Sequence, residues 1–186
     1  MLKFILFFAL LLNFTVLKSQ NLPGAAENLL DSKAMDERGF CVKIGDTLEN
    51  INFTLDNGKA ISLHDLKGKV VMLQFTASWC GVCREEMPHI ENEIWKKYKD
   101  KGLYIIGVDY DEPLEKVLAF KEQTKISYPL ALDPEAKIFT KIAGKKSGVT
   151  RNVIIDKNGK IIFLTRLFKI DEFNKMIEII DNELKS

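Results

Sequence analysis

Little in this chain is suited to holding metals or stapling a fold. Three cysteines and two histidines occur in 186 residues, too few for a disulfide-dense scaffold, so cysteine spacing carries more information than cysteine number. No histidine follows His89. A zinc site needs a second cysteine pair or a histidine pair, and the chain offers only Cys41, His64 and His89 beside its one Cys-x-x-Cys, so no metal is expected. A net charge of +1 excludes a polybasic nucleic-acid binder. Apolar residues at 46% and charged residues at 28% exclude a disordered chain and fit one globular core.

Acidic residues are absent before Glu27. Lys3 precedes an apolar run from Phe4 to Leu12, continued by Phe14, Val16 and Leu17, with small or polar residues around Ser19. This is the pattern of a secretory signal peptide over residues 1–19, with cleavage between Ser19 and Gln20. Leu17 is large for its place before the cut, and Asn13 interrupts the run, so an uncleaved inner-membrane anchor is the alternative. No cysteine follows closely enough for a lipoprotein anchor. Taking Lys3 and Lys18 from the 27 basic side chains leaves 25 against 26 acidic ones, so the remaining chain is close to neutral.

Residues 20–41 mix Pro23 and Gly24 with short apolar pairs and read as a linker or leader, with one short helix around Ala26 to Met35. From residue 42 the pattern tightens. Ile51 to Leu55 and Ala60 to Leu63 flank Asn57-Gly58, and Asn152 to Asp156 and Lys160 to Leu164 flank Asn158-Gly159. Both are hairpin signatures. Val70 to Thr76 is a nearly continuous apolar run suited to a strand buried on both faces, and Leu103 to Asp109 is a second. Helices are expected over Gly81 to Lys99, kinked by Pro88, and over Leu114 to Thr124. Others follow over Pro134 to Ile142 and Asp171 to Leu184, with a short strand at Pro129 to Leu132. Strand and helix alternate, then a hairpin and a helix close the chain. That order predicts an α/β fold with a central mixed sheet flanked by helices.

The chemistry concentrates in Trp79-Cys80-Gly81-Val82-Cys83, where a buried strand gives way to a helix. Free backbone N–H groups and the positive helix end favour a thiolate there, and the thiolate is the nucleophile in disulfide exchange. Cys80, at the first exposed position, would attack a disulfide. Cys83, one turn in, would displace the mixed disulfide. A copper-delivery role of the kind that pairs two cysteines with a C-terminal histidine is not supported, because that histidine is missing.

These residues resemble the active-site motif of the thioredoxin superfamily, with Val82 where thioredoxin has proline. Val42-Lys43-Ile44-Gly45-Asp46, Asn52 to Leu55, Leu66-Lys67-Gly68-Lys69-Val70-Val71, Ile106-Gly107-Val108-Asp109 and Val153 to Lys160 extend the likeness to the extracytoplasmic TlpA/ResA-like branch, related to peroxiredoxins. The likeness covers roughly residues 42 to 185. It implies a thioredoxin-like domain over 42–186 with an N-terminal β-hairpin extension. It also implies an exported, periplasmic thiol–disulfide oxidoreductase that reduces protein disulfides without a cofactor. Expected partners are protein disulfides, such as those of apocytochrome c or misoxidised envelope proteins, and a membrane electron donor. Glu86, three residues after Cys83, is implied as a proton carrier for the thiol pair, and Glu85 as a solvated neighbour. Trp79, Gly81, Val82, Val149 and Thr150 are implied as the partner-binding rim, with core packing the alternative for Trp79.

Two positions depart from the family pattern. Gln74 stands where thioredoxins bury an aspartate, which shifts the proton-carrying burden to Glu86. Val149-Thr150-Arg151 stands where the superfamily has a cis-proline, and a non-proline cis bond costs about 2.5–4 kcal/mol, so a trans peptide is expected before Thr150. Arg151 reads either as an electrostatic aid to the thiolate or as a solvated surface side chain. Cys41 reads as a spare thiol, with intermolecular pairing or resolution of an oxidised Cys80 as alternatives. Two other functions remain open from sequence: a peroxidase, although Thr76 lies four residues before Cys80 rather than three, and a non-catalytic redox-sensing or protein-binding module.

Overall fold

The computed structural model describes residues 35–186. The expected leader, its cleavage position and all but the last residue of the helix expected around 26–35 lie outside the described residues. Seven strands form one mixed sheet in the order β2-β1-β5-β4-β3-β6-β7. They are β1 Asn52–Leu55, β2 Ala60–Ser62, β3 Val70–Thr76, β4 Leu103–Tyr110, β5 Leu130–Asp133, β6 Arg151–Ile155 and β7 Ile161–Arg166. The helices are α1 Gly81–His89, α2 Leu114–Thr124, α3 Phe139–Ile142 and α4 Ile170–Lys185. This is a thioredoxin-like α/β fold with extra N-terminal strands.

β3 lies near the middle because every one of its seven side chains is buried, as a run without polar alternation demands. It pairs parallel with β4 and antiparallel with β6. β1 and β2 form the expected hairpin and join the sheet through β5, Thr54 facing Leu132. The turns of both hairpins rest on glycines in the left-handed region, Gly58 at φ +80° and Gly159 at φ +91°, where a side chain would be strained.

The helix expected over Gly81 to Lys99 is regular only to His89. It continues as a π-helical stretch, Ile90–Trp95, and a last turn at Lys96–Tyr98. Pro88 is the cause: it has no N–H to return to the preceding turn, so the ladder widens beyond it. One consequence is that Glu91 turns inward and accepts Ser127 N and Oγ, both at 2.8 Å. Tyr98 ties this segment to α4 by a hydrogen bond to Asp181. The stretch from Pro134 to Ile142 is likewise two pieces, a 3-10 turn at Pro134–Ala136 and α3. Glu135 and Ala136 take positive φ, and Asp133 caps the amides of Ile138 and Phe139 instead.

The end of the stretch read from composition as a linker is anchored to the domain at Phe40 and Cys41. Phe40 is buried in the core, and the backbone at Phe40 and Cys41 bonds to Ala143 and Ile142 at the end of α3.

Candidate active site

The end of β3 and the start of α1 deliver the cysteine pair. Cys80 is the N-cap of α1, and its sulfur accepts the Cys83 N–H at 3.2 Å. Cys80 and Cys83 are joined as a disulfide with Cα atoms 5.3 Å apart. The pair is asymmetric: Cys80 is 8% exposed and Cys83 is fully buried. A partner's sulfur arriving from solvent therefore meets Cys80. A thiolate there would gain both the Cys83 N–H and the helix end.

Thr150 reaches this place through strand register. β6 runs antiparallel to β3 with Arg151 opposite Phe75, so the residue just before β6 lies at the cysteine end of the sheet. The Thr150 hydroxyl is 3.2 Å from Cys80 Sγ and 3.3 Å from Cys83 Sγ. No cis peptide occurs among the described residues, so the bond before Thr150 is trans, as expected. Val149 is buried beside it. Gly81 is exposed and Val82 half-buried, while Trp79 is 64% exposed with its ring edge-on to Tyr110. Core packing, the alternative weighed for Trp79, is not its role.

Glu86 lies one turn beyond Cys83 on the buried side of α1, whereas Glu85 is exposed. It faces a row of positions that register aligns across four strands: Gly107, Gln74, Asn152 and Thr165. Asn152 Nδ2 donates to Glu86 Oε1 at 2.7 Å and to Thr165 Oγ1 at 2.9 Å. Tyr128 donates to Gln74 Oε1 at 3.0 Å. Gly107 makes room for this row, since a Cβ there would lie 2.4 Å from Leu130 and 3.3 Å from both Gln74 and Tyr128. Burial pushes the Glu86 carboxyl up to about 7, against a partial counter-pull from Asn152 and Gln74. A proton at this place is therefore exchangeable near neutral pH.

Asn152, Tyr128 and Thr165 were not singled out in the sequence. β6 is buried along its whole length, so alternation does not set Asn152 apart, and nothing local marks Tyr128 or Thr165. Arg151 is not the solvated surface side chain weighed for it. It is fully buried, stacked 4.4 Å from the Phe40 ring centroid, and it donates to the carbonyls of Ser147 and Gly148. Its work is to hold the loop that carries Thr150.

A family model described as Redoxin matches residues 43–181. A thiol-disulfide oxidoreductase ResA from Bacillus cereus is 41% identical over 123 residues, 65% of this chain and 68% of that protein. Among solved structures, a Bacteroides thetaiotaomicron protein provisionally described as a protein disulfide isomerase superposes with a TM-score of 0.78 at 54% identity, covering 80% of this chain and 94% of that one. A Chlorobium tepidum protein, provisionally the thiol:disulfide interchange protein DsbE, follows at 0.67 and 29%, covering 77% and 99%. With a disulfide-bonded cysteine pair at a helix start on a thioredoxin-like sheet, the chain belongs to the Redoxin family and, within the thioredoxin superfamily, to the TlpA/ResA-like thiol–disulfide oxidoreductases.

Proposed function

We propose that this oxidoreductase works outside the cytoplasm as a reductant of protein disulfides, with Cys80 as nucleophile and Cys83 as resolving thiol. Cys80 thiolate attacks one sulfur of the partner's disulfide, forming a mixed disulfide and releasing the partner's other sulfur as a thiolate that takes up a proton. Cys83 passes its proton to Glu86 and attacks Cys80 Sγ. The mixed bond breaks, the second partner sulfur leaves and is protonated, and the Cys80–Cys83 disulfide forms. Two electrons have passed to the partner, and a membrane electron donor returns the pair to the dithiol.

The observation that carries this reading is the chemistry behind the pair: Glu86, a carboxyl rather than a cation, stands one turn beyond Cys83. A strong oxidant needs its reduced form stabilised, and the group beside Cys83 adds no positive charge to that of the helix end. The leader pattern at residues 1–19 supports export or anchoring on the outer side of the membrane. Exposed Trp79 and Gly81, with half-buried Val82, form the rim against which an unfolded cysteine-bearing segment, such as an apocytochrome c or a misoxidised envelope protein, docks, and Val149 and Thr150 lie buried beneath it.

Acid quenching and alkylation of intact cells tests the direction. The protein is expected mainly as the dithiol at steady state. A protein found almost wholly oxidised, and accumulating oxidised partners when overproduced, would be an oxidant instead. A second expectation concerns Thr150, whose hydroxyl lies 3.2 Å from Cys80 Sγ and would donate to a thiolate formed there. A hydrogen bond to a charged group contributes about 1.5–3 kcal/mol, equivalent to about one pKa unit or more. Thr150→Val should raise the Cys80 thiol pKa by that amount, read from the pH dependence of alkylation. An unchanged profile would remove Thr150 from the mechanism.

A further inference from the structure

The turn that presents Cys80 is held from below by a second acidic site, separate from Glu86. Ser78, two residues before Cys80, donates its backbone N–H to Glu112 Oε2 at 2.5 Å and its hydroxyl to Glu112 Oε1 at 2.6 Å. Its carbonyl accepts Arg84 Nε at 2.9 Å. Arg84 is itself braced by Gln123 Oε1 and the Phe120 ring. One residue is therefore gripped on both sides, and the grip on its donor side consists of charge-assisted bonds to a single carboxylate.

Three residues before Glu112, at the end of β4, Asp109 is fully buried, and no amide, hydroxyl or cation among the described residues donates to either of its oxygens. After burial itself, the neighbour that most raises this carboxyl is Glu112. A buried carboxylate without donors beside a second carboxylate is an unfavourable anion. The stable arrangement is a protonated Asp109 that donates to Glu112, leaving both Glu112 oxygens to accept from Ser78.

We propose that Glu112 is the positioning residue of the active-site turn and Asp109 its protonation partner: one proton shared by the two carboxyls keeps a single charge beneath Ser78 and holds Trp79 and Cys80 in their reactive orientation. The surroundings agree. Thr76, opposite Asp109 on β3, is uncharged. Asp133, at the end of β5, adds like charge and is itself held by the amides of Ile138 and Phe139. Asp111 and Tyr110 flank the pair on the same stretch of chain, Asp111 bonding Glu135 N and Tyr110 packing on Trp79. Arg84, the cation from α1, is spent on the Ser78 carbonyl and Gln123. Burial, with Glu112 and Asp133 adding to it, pushes Asp109 up to about 7. Above that pH two adjacent anions repel, and the hold on Ser78 loosens. The inference depends on exchange at Cys80 and not on the direction of electron flow or on the partner.

The test uses the full chain in its disulfide form, so that neither active-site cysteine titrates. Trp95→Phe leaves Trp79 as the remaining tryptophan of the two, and Glu86→Gln removes the other carboxyl with a value near 7. The expected result is a Trp79 emission change centred near pH 7 that Asp109→Asn abolishes, because asparagine keeps the donor to Glu112 at every pH. In the otherwise unaltered reduced protein, Glu112→Ala is expected to slow attack on a small aromatic disulfide about tenfold or more, the scale of a misplaced reacting group. An emission transition that persists in Asp109→Asn, or its absence from the parent, overturns the proposal. So does a folded Glu112→Ala protein that reacts at the parental rate. If Glu112→Ala does not fold, the Asp109→Asn comparison decides.

Discussion

Glu86→Gln should make the oxidised protein more stable at pH 8 and leave it nearly unchanged at pH 4.5. The carboxyl is held at about 7 in the fold against an ordinary 4.5. Between those values the folded state keeps a proton that the unfolded state has lost. Stability therefore falls as pH rises through that window and is flat above it. At 1.36 kcal/mol per unit, the full cost of ionising the buried group reaches about 3 kcal/mol. Glutamine removes that cost and keeps an oxygen for Asn152 Nδ2. Urea unfolding at the two pH values measures the difference. Equal gains at both, or a loss at pH 8, would show that Glu86 is ionised at little cost and that its burial is not what raises it. The same substitution should slow resolution of the mixed disulfide by about 10²-fold, the lower end of general acid–base contributions, and erase the inflection near pH 7 in that rate. More stable yet slower is the signature expected of a group kept at an energetic cost for proton transfer.

The second large effect separates the two cysteines. Cys83→Ala is expected to stop turnover at the mixed disulfide and leave Cys80 covalently joined to its partner, recoverable by mass spectrometry from the cell envelope. Cys80→Ala should form no such adduct, because Cys83 has no surface through which a partner's sulfur can reach it. The contrast rests on exposure alone: the helix start lifts one sulfur to the rim and turns the other beneath it. Adducts at similar levels in both variants would mean that the turn opens far enough to expose Cys83. Their absence from both would remove the mixed disulfide from the mechanism.

Glu86 shows how far sequence reaches into the site. Its spacing of three from Cys83 is a helical neighbour relation, and a helix at that place was legible from the apolar positions Met87, Ile90 and Ile94, all buried in the structure. The interruption of that helix was legible too, since Pro88 cannot complete its ladder. What lies under Glu86 was not. Asn152, Gln74 and Thr165 sit on three strands, and nothing local to any of them states which residue its neighbour strand brings opposite. The place of Arg151 is illegible for the same reason. Its burial depends on Phe40, over a hundred positions earlier in a segment whose composition resembles a linker. Ser78 and Glu112, 34 positions apart, are joined only because β3 and β4 end side by side.

By itself, then, the sequence determined the strands that must be buried, the helix start at Cys80, the one-turn separation of the two sulfurs and the trans bond at Thr150. All of these follow from backbone preference, side-chain periodicity and covalent spacing over a few residues. The tertiary structure decided the rest: that Cys80 and not Cys83 meets solvent, that Thr150 touches both sulfurs, and that Glu86 and Asp109 are held near pH 7. Exposure, register and desolvation depend on which distant segments close over a group, and no short stretch of chain carries that information.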